Sequence, residues 1–156
     1  KLIKMKISDH ITLKEATKSN TAIRRGIDNT PNDYEISNME NIAKNLFEPL
    51  REWVGGPIRI NSFFRSEELN SAIGGSSRSQ HCQGRAIDLD DTYGHKTNAE
   101  MFQYIKDNLS FDQMIWEFGD NENPDWVHVS FVSFDENRGR IMKAERINGK
   151  TTYRYI

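Results

Sequence analysis

The chain has 156 residues, 36% hydrophobic and 28% charged, with a formal net charge of -2. That length allows one good hydrophobic core, the charge leaves no electrostatic footprint for nucleic acid, and no apolar run is long enough to insert into a membrane. The single cysteine, Cys82, excludes an internal disulfide and suits a reducing compartment.

Residues 5–156 read as a single domain; residues 1–4, a short lead ahead of Met5, carry no weight. Residues 5–36 suggest short helical pieces: Thr12 with Glu15 fits a capping box starting a helix to about Lys18, and Thr21–Arg25 a further turn stopped by Gly26. His10 in this region reads as a surface histidine. Ser37 is the expected cap of a longer helix, Asn38–Val54. Met39, Ile42, Leu46, Leu50 and Val54 recur there at three- and four-residue steps, and Pro49 implies a kink or break. Ile58–Phe64 alternates as a strand, Ser66–Ile73 is a short capped helix, and Gly74–Ser79 is a glycine- and serine-rich loop.

The stretch Ser79–Asp90, S-Q-H-C-Q-G-R-A-I-D-L-D, is the part richest in chemistry. Gly84 makes a turn, after which Ala86, Asp88 and Asp90 share one face of a strand. A loop imidazole, His81, and a strand carboxylate, Asp88, can meet at one point, as two ligands of a divalent metal do. Cys82 reads as a small buried filler. Beyond this stretch, Thr97–Leu109 is a helix behind a polar loop holding His95, and Gln113–Phe118 and Trp126–Phe131 are strands. Asn148-Gly149 turns a hairpin between Arg140–Ile147 and Lys150–Tyr155.

Trp126, His128 and Ser130 share a strand face opposite Val127, Val129 and Phe131. His128 is therefore the natural third ligand. Two histidines and an aspartate leave a fourth position open on zinc, the arrangement of a catalytic rather than a structural site. Hydrolysis there requires a carboxylate base, and two precede His128. Glu117 shares a strand face with Gln113 and Ile115. Asp125 has an odd offset from His128 if the strand includes it, and is free to turn inward if the strand starts at Trp126. Periodicity leans to Glu117. Trp116 and Trp126 fit either the core or the flank of a cleft.

The spaced pattern Ser79-x-His81-x-x-Gly84-x-Ala86-x-Asp88, with the later Trp126-Val127-His128, resembles peptidase family M15, the zinc D-alanyl-D-alanine peptidases and L-alanyl-D-glutamate endopeptidases, most closely its phage-associated branch. The likeness extends to Ile7-Ser8-x-His10-x-Thr12-Leu13-x-Glu15, to Ser62-Phe63-Phe64-Arg65-Ser66 and to Phe111-Asp112-Gln113-Met114-Ile115-Trp116-Glu117.

The resemblance implies an α+β, hedgehog/DD-peptidase-like fold: an antiparallel sheet bearing the zinc site, with helices on one face and at one end. It implies Zn2+ on His81, Asp88 and His128, and hydrolysis of peptidoglycan stem peptides. Arg65 would bind a substrate carboxylate, and Ser79 would line the site. Some family members carry an acidic residue at the place of Asp125, whereas the related hedgehog domain carries one at the place of Glu117; Glu117 is preferred and Asp125 is kept as alternate or helper. Without a signal-peptide pattern, the expectation is a cytoplasmic monomer released to the cell wall during phage or prophage lysis. The alternative reading is a zinc-stabilised binding module without turnover.

Overall fold

The computed structural model describes residues 5–156; the lead of residues 1–4 lies outside them. The largest feature is a six-stranded sheet in the order β3-β4-β6-β5-β7-β8. Its strands are β3 (Arg59–Ser62), β4 (Ala86–Asp90), β5 (Gln113–Glu117), β6 (Trp126–Ser130), β7 (Arg140–Ile147) and β8 (Lys150–Tyr155). All neighbours pair antiparallel except β5 and β7, which are parallel. The sheet is antiparallel around the site, as expected from the sequence, and the one parallel pair, β5 with β7, was not foreseen. β7 follows β6 but is laid on the far side of β5. A strand antiparallel in direction to β6 must then run parallel to β5.

The two faces differ as alternation demands. Ile87, Leu89, Met114, Val127 and Val129 lie on one face, fully buried, and pack into the core with Trp116 and Ile141. Each such side chain withdrawn from water contributes roughly 1.5–3 kcal/mol. The helices that cover this face are α3 (Asp33–Ile42), α4 (Glu48–Val54) and α6 (Asn98–Asn108), through Met39, Ile42, Leu50, Met101, Phe102 and Ile105. The polar residues of the same strands are left on the opposite face. Before α3 come a two-stranded ribbon, β1 (Lys6–Ser8) with β2 (Ile11–Thr12), and the short helices α1 (Leu13–Ala16) and α2 (Asn20–Arg25); α5 is Glu67–Ala72.

Several local features refine or depart from the sequence reading. The long helix starts at Asp33, not Asn38. Asn32 is the true cap: its side chain accepts from the Glu35 amide and the Glu35 carboxylate accepts from the Asn32 amide, closing a capping box five residues ahead of Ser37. The break at Pro49 takes the form of a π-helical turn, Ala43–Phe47, before α4. Proline brings no N–H and its ring crowds the preceding turn, and a widened turn relieves both. The β1–β2 ribbon was not foreseen, being three and two residues long. His10 is not a free surface histidine: its Nδ1 lies 2.6 Å from Glu48 Oε1. Among the described residues, no helix is long and apolar enough to cross a membrane.

Gly84 closes the turn between the Gln80–Gln83 3-10 helix and β4 with φ 73°. A Cβ there would lie 2.6 Å from the Glu35 carbonyl oxygen and 2.7 Å from Met39 Cγ. Gly84→Ala is therefore expected to cost about 2–4 kcal/mol from strain and overlap together. Chemical denaturation measures it; a loss below half a kcal/mol would mean that α3 yields easily.

Candidate metal centre

Asp88 sits in the middle of β4, flanked by Ser62 of β3 and His128 of β6 in direct register. Pairing in register fixes both side chains on one face. His128 Nδ1 comes 2.9 Å from Asp88 Oδ1. His81, on the 3-10 turn, brings its Nε2 to 3.3 Å of the same oxygen. The other ring nitrogen of His81 lies 2.7 Å from the Phe63 carbonyl oxygen. A carbonyl only accepts, so Nδ1 carries the hydrogen and Nε2 presents its lone pair. The ligand atoms of His81, Asp88 and His128 all lie within 4.8 Å of one another. Two imidazoles and one carboxylate, with one imidazole already oriented by a backbone carbonyl, form a donor set that suits zinc.

The electrostatics are consistent with a cation-ready cluster. Burial would raise the Asp88 carboxyl, but His81 and His128 hold it below the usual carboxylate range. Burial pushes His81 down, against the pull of Asp88. A neutral imidazole beside an ionised carboxylate is the form in which both bind metal. Arg65 Nη2 stands 3.6 Å from Asp88 Oδ2. Its Nε donates to Ser62 Oγ and its Nη1 to Asn70 Oδ1, so Arg65 does not pair with Glu67 or Glu68. Ser79 caps the 3-10 turn, its Oγ accepting from the His81 amide. A groove of about 420 Å³ between β3 and the α1–α2 region has Lys18, Arg59, Ser62 and Arg65 among its lining residues.

Glu117 ends β5 on the same face, opposite Trp126, and Ile115 beside it is opposite His128. It is 7% exposed. Burial chiefly, with the charge of Asp88, pushes its carboxyl up to about 7, against His128 and Arg65. Asp125 is exposed, one residue ahead of β6, and its amide donates to the Glu117 carbonyl. Trp126 lies on the site face beside Phe118, whereas Trp116 packs edge-on against Phe102 in the core. Cys82 is half-buried rather than a buried filler, and His95 is exposed.

Asp112 was not singled out from the sequence. It is almost wholly buried and accepts from Arg138 Nε and Nη2, from the Arg138 amide and from Gln80 Nε2. Gln80 immediately precedes His81, so this carboxylate ties the histidine-bearing turn to the start of β5. Only the hydrogen-bond pattern distinguishes Asp112 from any loop aspartate.

A buried imidazole–carboxylate cluster on a sheet, with a second carboxylate poised near neutrality on the same face, is a site of the kind metal-dependent hydrolases use. The family model described as Peptidase M15 matches residues 9–130, and the chain belongs to that family and is a peptidase. The matched span holds His81, Asp88, His128 and Glu117, and zinc dependence is typical of the family. No curated protein matches the chain.

The Glu117 carboxyl gives a pH test on metal-free protein. Folding raises its pKa from 4.5 to about 7, so the folded state binds this proton more tightly than the unfolded chain. Its stabilisation is full below pH 4.5 and is lost as pH rises through 7. At pH 8, metal-free Glu117→Gln should exceed wild type in stability by on the order of 1–3 kcal/mol, and at pH 4 the two should agree. Thermal melts at both pH values decide it; a wild type more stable at pH 8 contradicts the assignment.

Proposed function

We propose that the chain is a zinc peptidase that hydrolyses peptide bonds in the stem peptides of bacterial peptidoglycan. The observation that carries this reading is the convergence of His81, Asp88 and His128 on one sheet face with Glu117 beside them. The reading takes residues 5–156 as one domain; in its support, β3 to β7 and the helices α3, α4 and α6 contribute to one core.

His81, through Nε2, His128, through Nδ1, and Asp88 would hold the ion. Zinc, when bound, supplies a Lewis acid that polarises the scissile carbonyl and makes water acidic near neutral pH. Glu117 takes the proton of the attacking water onto a carboxylate oxygen as the water oxygen bonds to the carbonyl carbon. It returns that proton to the amine as the C–N bond breaks. A base whose pKa lies near neutrality serves both halves of this exchange. The Arg65 guanidinium, held by Ser62 and Asn70, orients a stem carboxylate, and Ser79 lines the approach. D-Ala-D-Ala and L-Ala-D-Glu bonds call for the same chemistry, and a role in phage or prophage lysis fits either.

Defined muropeptides digested with and without chelator, with products read by mass, test the reading. Wild type should release fragments only with metal present. Glu117→Gln should lower kcat at least ~10²-fold while keeping its zinc, and Asp125→Asn should stay within about threefold of wild type. Loss of turnover in Asp125→Asn with Glu117→Gln active would exchange the two roles. A wild type that binds zinc but releases nothing would favour the binding-module reading.

For the ligands, elemental analysis of His81→Ala and His128→Ala should show zinc lost in each. Zinc at about a thousand times its Kd should raise wild-type stability by roughly 4 kcal/mol. Full zinc retention in either variant would refute the ligand set.

A further inference from the structure

The β7–β8 hairpin lies beyond residues 9–130, the span that the family model matches. Its register places two tyrosines on the face of the metal centre. One cross-strand row runs Trp126, Glu117, Ala144, Tyr153; the next runs Asp88, His128, Ile115, Met142, Tyr155. Residues in one such row share a face. Only Ala144 separates Glu117 from Tyr153, and Ala144 is fully covered. With strands about 4.8 Å apart, the two Cα atoms are roughly 10 Å apart, a gap that a phenol and a carboxylate largely close.

Tyr153 is nevertheless 51% exposed, and no side-chain partner engages its hydroxyl among the described residues. Burial first, and then the charges of Glu117 and Asp88, raise its pKa, so the site is within electrostatic reach of the phenol. The surroundings are aromatic and cationic. Arg146 lies 5.2 Å from the centroid of the Phe118 ring, Phe118 lies 5.5 Å from Trp126, and Arg140 lies 5.0 Å from the Tyr155 ring. Phe118 has φ 56°, which is uncommon for a bulky residue and ends β5 immediately after Glu117. Ring faces, an O–H and guanidinium N–H groups together suit a peptide that presents carbonyls or a carboxylate.

We propose that Tyr153 is a specificity-determining residue. Its ring and hydroxyl contact the bound stem peptide on the Glu117 side of the metal centre, away from Arg65, so that the C-terminal hairpin forms one wall of the cleft. The inference rests on the proposed function and adds the residue that grips the substrate on that side.

The test compares Tyr153→Ala, Tyr153→Phe and Thr152→Ala in the full chain. Thr152 lies on the opposite face of the same strand and opposes Glu145. The readouts are KM and kcat on muropeptides, zinc content and melting temperature. Tyr153→Ala should raise KM about five- to tenfold with kcat within twofold, as loss of uniform binding does, and Tyr153→Phe should raise it about two- to threefold. Zinc content should be unchanged, and Thr152→Ala should match wild type. In parallel, Glu117→Gln and Glu117→Gln/Tyr153→Ala are sedimented with insoluble sacculi, a readout that does not require turnover; weaker retention of the double variant supports the proposal. A Tyr153→Ala enzyme with wild-type KM, or equal retention of the two sedimented proteins, overturns this inference while leaving the peptidase reading intact. Absence of both cleavage and sacculus binding overturns both.

Discussion

The Asp88 carboxylate is the constraint around which the rest of the molecule is arranged. One of its oxygens faces two imidazole nitrogens, and the other faces a guanidinium. A carboxylate so deeply placed is costly unless it is compensated. The compensation comes from three separate places in the chain: the 3-10 turn that carries His81, the neighbouring strand that carries His128, and the segment after β3 that carries Arg65. Each is then tied to a further partner. His81 meets the Phe63 carbonyl, Arg65 is held by Ser62 and Asn70, and the turn preceding His81 is fastened by Gln80 to Asp112. The cluster is thus held by backbone register between β3, β4 and β6 and by hydrogen bonds that fasten the connecting segments.

The sheet separates two tasks by face. Apolar residues at alternate positions drive β4, β5 and β6 against α3, α4 and α6, and that side supplies the stability. The other side is thereby free to carry charge. Glu117 benefits from this division: it is buried enough to hold a proton near neutrality but stands among charged neighbours that can stabilise its ionised form. A carboxylate in water has no such intermediate affinity.

Much of this was legible in the sequence because period-two alternation is a strong signal. The faces of β4 and β6 could be read directly, and with them the convergence of His81, Asp88 and His128; the position of Glu117 followed from the same alternation in β5. The start of α3 was not legible, since Ser37 and Asn32 are both acceptable caps and only the reciprocal bond with Glu35 chooses between them. The role of Asp112 was hidden because its partners, Gln80 and Arg138, are 32 and 26 residues away. The parallel pairing of β5 and β7 was equally hidden: a hairpin turn at Asn148-Gly149 fixes how β7 meets β8 but says nothing about which strand β7 joins.

That parallel pairing makes the segment before β7 a phase setter. A parallel strand has no hairpin to fix its alignment, and a slip by one residue turns every side chain to the other face. Here the alignment is anchored at its first residues: the Gly139 amide donates to the Phe111 carbonyl, the Arg140 amide to the Asp112 carbonyl, and the Arg138 guanidinium grips the Asp112 carboxylate. The same aspartate thus indexes two things at once, the histidine turn on one side and the hairpin on the other. Insertion of a single residue between Arg138 and Arg140 would turn Ile141 off the core face and swap the hairpin's two surfaces, bringing Lys143 and Arg154 to where Ala144 and Tyr153 now stand.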